Sequence, residues 1–110
     1  MFVPQENRNN GPALRRGLIS DVIMDAADLL RQQGWLPMNP NMAGKPGMCI
    51  GIAVARAAFG KVQYHEAAEA VLLAAQIQTG RQWRDLPQYN DAPGRTVADV
   101  YAVMELAAAQ

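Results

Sequence analysis

Between residues 48 and 60 the chain reads MCIGIAVARAAFG, and two folds compete for it. Ile50, Ile52 and Val54 alternate as in a buried strand, whereas the length, the alanine-rich stretch Ala55–Ala58 and the closing Gly60 suit a short buried helix. Arg56 is the single charge in the run. Length, alanines and glycine favour the helix. On that reading residues 48–59 form the central helix of a bundle, and Gly51 is a point where a neighbouring helix comes close.

The segments on either side agree with a helical fold. From Pro12 to Gln33 the apolar residues Leu14, Leu18, Ile19, Val22, Ile23, Ala26, Leu29 and Leu30 recur at helical spacing, with Arg15, Arg16, Asp21, Asp25, Asp28, Arg31 and Gln32 mostly opposite. Asn10 or Gly11 suits the cap and Pro12 the first turn, so residues 1–11 read as a flexible N-terminal arm and 12–110 as a single helical domain. Gly34 suits the left-handed position after the helix, with Trp35 folding back over Leu30. A third helix is expected over 64–79, stopped by Gly80. A last one is expected over 96–108, with Thr96 and Asp99 spaced as a capping box. Two connectors stay irregular: the Pro- and Gly-rich loop Pro37–Gly47, and Arg81–Arg95, in which Arg81–Leu86 has room for one turn of helix. Within the latter, Ala92-Pro93-Gly94-Arg95 fits a type II turn. The fold expected is all-α, a compact four-helix domain.

Composition narrows the class of function. Half of the 110 residues are hydrophobic and 18% are charged, which argues against a disordered chain. Ten basic and ten acidic residues cancel, which argues against a nucleic-acid partner. No apolar run is long enough to span a bilayer and the N-terminus lacks a secretory pattern, so a cytoplasmic location and no membrane partner are expected. The lone Cys49 excludes an intrachain disulfide and reads as a core residue.

Three places could carry chemistry. His65 and Glu69 share a helix face, but a zinc-protease helix needs a second histidine where Glu69 stands, so neither metal nor other cofactor is expected. Cys49 lacks a base other than His65. The third place is the connector holding Arg81, Trp83, Arg84, Tyr89, Asn90, Asp91 and Arg95. Trp, Tyr and Arg are the residue types that dominate binding hot spots, and Trp35 joins them as a candidate. The same aromatics could instead plug the end of the bundle, with Asp91 pairing to Arg95 or capping the last helix.

Leu29-Leu30, Gly34-Trp35, Cys49-Ile50-Gly51-Ile52-Ala53 and Tyr89-Asn90-Asp91-Ala92-Pro93-Gly94-Arg95-Thr96 followed by Asp99-Val100 resemble a small domain family of unknown function from actinobacteria and their bacteriophages. The resemblance spans residues 14–108, and Asn-Asp-x-Pro-Gly-Arg-Thr is its most specific part. Members often carry Trp before Asn-Asp, where this chain has Tyr89. The resemblance supplies no catalytic residues and implies an actinobacterial or actinophage source, in keeping with an Ala-rich chain in which eight of ten basic residues are Arg. The function expected is a non-enzymatic protein-interaction or regulatory module, one form being a phage accessory protein acting on a host target. A homo-oligomer is a further expectation. The alternative is a small ligand-binding protein or enzyme with a cleft near His65, Glu69, Asp91 and Arg95.

Overall fold

Residues 50–58 are helical. The computed structural model describes residues 3–38 and 44–110, with side chains from residue 13 onward. Its order is α1 (Val3–Gln33), α2 (Ile50–Ala58), α3 (Tyr64–Thr79), α4 (Leu86–Asn90) and α5 (Val97–Ala108), an all-α fold with no strand among the described residues. In α2 the buried residues Ile50, Ala53, Val54, Ala57 and Ala58 follow the spacing of one helical face, while Ile52, Arg56 and the 87%-exposed Phe59 lie outside. A strand would have sent Ile50 and Ile52 to the same side. Cys49 caps the helix, its Sγ accepting the Ile52 N–H at 3.4 Å.

What survives of the extended alternative is one parallel bridge between Trp35 and Met48. Met48 N–H donates to Gly34 O at 2.9 Å and Leu36 N–H to Met48 O at 3.1 Å. The helix expected to begin at Met48 therefore starts two residues later. Gly51 is also not a tight helix-crossing point: a Cβ there would lie 3.5 Å from the Tyr64 hydroxyl and 3.8 Å from Cys49 Sγ, ordinary contact distances.

The long helices pack up and down around Val22, Ile23, Leu30, Ile50, Val54, Val71, Val100, Val103 and Met104, all fully buried. Each such side chain contributes about 1.5–3 kcal/mol by leaving water. α2 runs antiparallel to α1, since Met48 is bridged to Trp35 at one end and Lys61 pairs with Asp25 at 3.1 Å towards the other. α5 is antiparallel to α1 as well: Ser20 Oγ donates to Ala108 O at 2.6 Å, and the Arg31 guanidinium lies 4.8 Å from the Tyr101 ring centre. α3 runs parallel to α1, with Arg15 clasping Glu66 through two hydrogen bonds.

Three sequence expectations need correction. The first helix begins at Val3, not Pro12, so the described part of the expected arm continues α1 and Asn10 and Gly11 are not its cap. Pro12 forfeits one backbone bond, which interrupts the ladder locally without ending the helix. Leu14 and Leu18 lie on the apolar stripe yet are 61% and 44% exposed, because α1 outruns its neighbours. Finally, the helical turn in the second connector covers Leu86–Asn90, not Arg81–Leu86. The loop expected over Pro37–Gly47 falls partly outside the described residues; at its described ends, Pro37, Met38 and Gly44–Gly47, no helix forms.

Candidate functional site

α4 is five residues long and owes its existence to its cap. Asp85 Oδ1 accepts the Gln88 N–H at 2.9 Å, and Pro87 occupies the first turn, where a missing N–H goes unnoticed. That hydrogen bond and the neighbouring Arg84 guanidinium, 3.2 Å from Oδ2, hold the Asp85 carboxyl below the usual aspartate range. A carboxyl whose pKa is lowered on folding stabilises above its unfolded value, about 3.9, and loses that contribution as pH falls through the folded value. We therefore expect acid to weaken α4, and Asp85→Asn, which keeps a capping oxygen without the charge, to flatten the acid side of a Tm-against-pH profile. An unchanged profile would remove Asp85 from the account.

The cap delivers Asn90 into the core, where it is fully buried. Its Oδ1 accepts from Trp35 Nε1 at 2.6 Å and from Ile50 N at 3.0 Å; its Nδ2 donates to Leu36 O at 3.1 Å and Asp91 Oδ1 at 2.8 Å. One side chain thus joins the end of α1, the start of α2 and α4. Asp91 Oδ1 also accepts the Met38 N–H at 2.8 Å, drawing the connector onto the same node. Among the described residues no buried side-chain nitrogen or oxygen lacks a partner.

Tyr89 and Arg95 form a second cluster. Tyr89 is fully buried, and its hydroxyl donates to Gln78 Oε1. Burial pushes that phenol upward, against the pull of Arg95, so the hydroxyl keeps its proton. Arg95 donates from Nε to Tyr89 O at 2.9 Å, lies 3.7 Å from the Tyr89 ring centre and reaches Asp99 at 3.8 Å. Trp83 meets Tyr89 edge-on at 5.3 Å and donates from Nε1 to Thr79 Oγ1 at 2.9 Å. Arg81 covers the outer side of Trp83, 4.0 Å from its centre. Arg95 N–H closes the turn onto Ala92 O at 3.0 Å with Gly94 at φ +80°, and Thr96 and Asp99 complete the capping box of α5. Asp91 pairs neither with Arg95 nor with the last helix.

The structure thus brings together Trp35, Asn90 and Asp91 in one cluster and Arg81, Trp83, Tyr89 and Arg95 in another. Arg84 turns outward beside Asp85. His65 and Glu69 do line a hollow of about 240 Å³, but its other walls are Tyr64, Ala68, Leu72, Arg84, Asp85 and Leu86, not Asp91 or Arg95. Sequence reasoning passed over two exposed residues, Leu73 and Ile77, which lie one turn apart on α3 at 56% and 63% exposure. The signal was present: the helical spacing expected over 64–79 runs through Tyr64, Ala67, Ala68, Val71, Leu72, Ala75 and Gln76, and both residues fall off that stripe. Gln78 and Thr79, which receive the Tyr89 and Trp83 hydrogen bonds, carried no such signal.

No helix among the described residues is long and apolar enough to cross a membrane. No curated protein and no solved structure matches the chain. A family model does match, over residues 15–110, which takes in α1 from Arg15 onward, α2 to α5 and both side-chain clusters. The chain belongs to DUF6197, a family of unknown function.

Proposed function

We propose that the chain is a small protein-interaction or regulatory module that works by binding. The observation carrying this reading is the exposed pair Leu73 and Ile77, whose helix leads directly into the exposed Arg81 and Arg84. Single exposed apolar residues are ordinary on a protein surface; two large ones a turn apart on one helix make a patch that a partner can cover. Trp35, Trp83, Tyr89, Asn90, Asp91 and Arg95 support it from beneath by holding the 81–95 segment in place. The motif resemblance and the Ala- and Arg-rich composition favour an actinobacterial or phage source. In a phage, such a module acts as an accessory protein on a cytoplasmic host target.

The test compares proteins retained from actinobacterial lysate by the immobilised wild type, by Leu73→Glu/Ile77→Glu and by Arg81→Ala. A protein held by the wild type and lost by the variants, at equal melting temperature, supports the reading. Identical recovery by all three overturns it. The hollow beside His65 favours a second reading, a small-ligand site with an apolar floor of Ala68, Leu72 and Leu86 and charged groups from Glu69, Arg84 and Asp85 at its rim. Its test is a screen of small zwitterions for shifts of the His65 ring resonances, and the absence of any shift would dispose of it.

A further inference from the structure

We infer that the hollow beside His65 holds a free α-amino acid with an apolar side chain, its ammonium group met by Glu69 and its carboxylate by Arg84. The inference rests on the reading of that hollow as a small-ligand site and names the ligand.

Ala68, Glu69 and Leu72 share one face of α3, and Arg84, Asp85 and Leu86 close the hollow from the start of α4. Leu86 and Ala68 are buried and Leu72 is half-buried, so the floor is apolar and fixed by the core beneath it. At about 240 Å³ the hollow is smaller than the sites of drug-sized ligands, which run to about 300–1,000 Å³. It suits a compound of the size of a single amino acid.

The charges at the rim choose among such compounds. Glu69 and Arg84 border the same hollow with opposite signs, yet they do not pair. Among the described residues no basic side chain lies within 4.0 Å of the Glu69 carboxylate. Arg84 spends Nε on Asp85 at 3.2 Å, and among the described residues its two Nη groups have no hydrogen-bond partner. Its own N–H donates to Gln88 Oε1 at 2.6 Å, which ties the base of the side chain to α4. The outer fork of the guanidinium is left to grip a carboxylate. Asp85 does not compete with Glu69 for an ammonium group, because one of its oxygens caps α4 and the other accepts from Arg84. An apolar amine would satisfy Glu69 alone and an apolar acid Arg84 alone. An apolar zwitterion satisfies both and covers the floor.

The test is a titration of the full chain at neutral pH, read from the His65 ring and the methyl groups of Ala68, Leu72 and Leu86 by NMR. The probes are leucine, isoamylamine (leucine without its carboxylate), isocaproate (leucine without its amine) and glycine. Leucine is expected to give saturable shifts at all four residues, with isoamylamine and isocaproate each about tenfold weaker, the worth of one hydrogen bond to a charged group. Glycine, which has nothing to cover the floor, is expected to bind weakest. Glu69→Gln and Arg84→Gln are each expected to weaken leucine about tenfold at an unchanged melting temperature, and that result supports the proposal. Should Arg84→Gln melt early, the exposed Glu69→Gln decides alone: weaker leucine binding supports the proposal, and unaltered binding ends it. Isoamylamine or isocaproate binding as tightly as leucine, or glycine matching it, overturns the proposal and leaves a small-ligand site of other specificity. No shift with any probe removes both the proposal and the site.

Discussion

Replacing Asn90 with leucine is expected to lower the stability of the fold by about 3–5 kcal/mol. The side chain is fully buried and holds two donors, Trp35 Nε1 and Ile50 N, and one acceptor, Leu36 O. Leucine occupies similar space but leaves all three unpaired, and a buried group without its partner costs about 1–3 kcal/mol. Because the three groups sit on different segments, the loss is not confined to α4: the bridge between Trp35 and Met48 loosens with it. Urea denaturation gives the magnitude, and faster amide exchange at Leu36, Met48 and Ile50 gives the location. A midpoint shift worth less than about 1 kcal/mol would show that water or a rearranged loop satisfies these groups. Asn90→Asp offers a finer check. It keeps the acceptor for Trp35 and Ile50 but loses the donor and sets a second carboxylate beside Asp91. That variant is expected to be unstable at neutral pH and to recover as acid protonates one of the pair.

Gly47→Ala is expected to cost about 2–4 kcal/mol, out of proportion to one added methyl. Gly47 sits at φ +128°, and a Cβ there would stand 2.8 Å from Leu36 Cγ and 3.0 Å from Gly34 O. Backbone strain of this sort is worth about 1–3 kcal/mol, and the contact with Gly34 is to backbone, which cannot swing aside. Gly44→Ala is the internal control. Gly44 also has positive φ, +81°, but among the described residues its Cβ would meet nothing within 4 Å, so the left-handed penalty of about 1–2 kcal/mol is what is expected. Equal melting temperatures for the two variants would mean that the close approach of Gly34 and Gly47 is not what holds this corner together.

Both predictions concern one joint, and that joint was only partly legible. The Asn90-to-Thr96 stretch stood out as a distinctive motif, and the spacing of Thr96 and Asp99 announced the cap of α5. The distant partners of Asn90 did not stand out, because they lie 40, 54 and 55 residues away and two of the groups it bonds, Ile50 N and Leu36 O, belong to the backbone, which every residue carries. The start of α4 was misjudged for a different reason. Pro87 reads as a breaker when taken alone, whereas behind a capping Asp85 it is an initiator. Leu14 and Leu18 illustrate the limit of periodicity: it identifies a face, and burial of that face depends on a neighbour long enough to reach it.

Helical spacing of apolar residues, capping pairs and glycine stops are local properties, so the chain alone was enough to settle an all-α fold and to locate its four long helices to within a few residues of their ends, apart from the N-terminal end of the first. Which side chains are consumed in holding those helices together, and which are left facing water, depends on contacts between residues far apart along the chain. That is why Trp83, Tyr89, Asn90 and Arg95, conspicuous as candidates for recognition, are occupied with one another and with their neighbours, while Leu73 and Ile77, unremarked in the sequence, are the aliphatic side chains that packing leaves most exposed on α3.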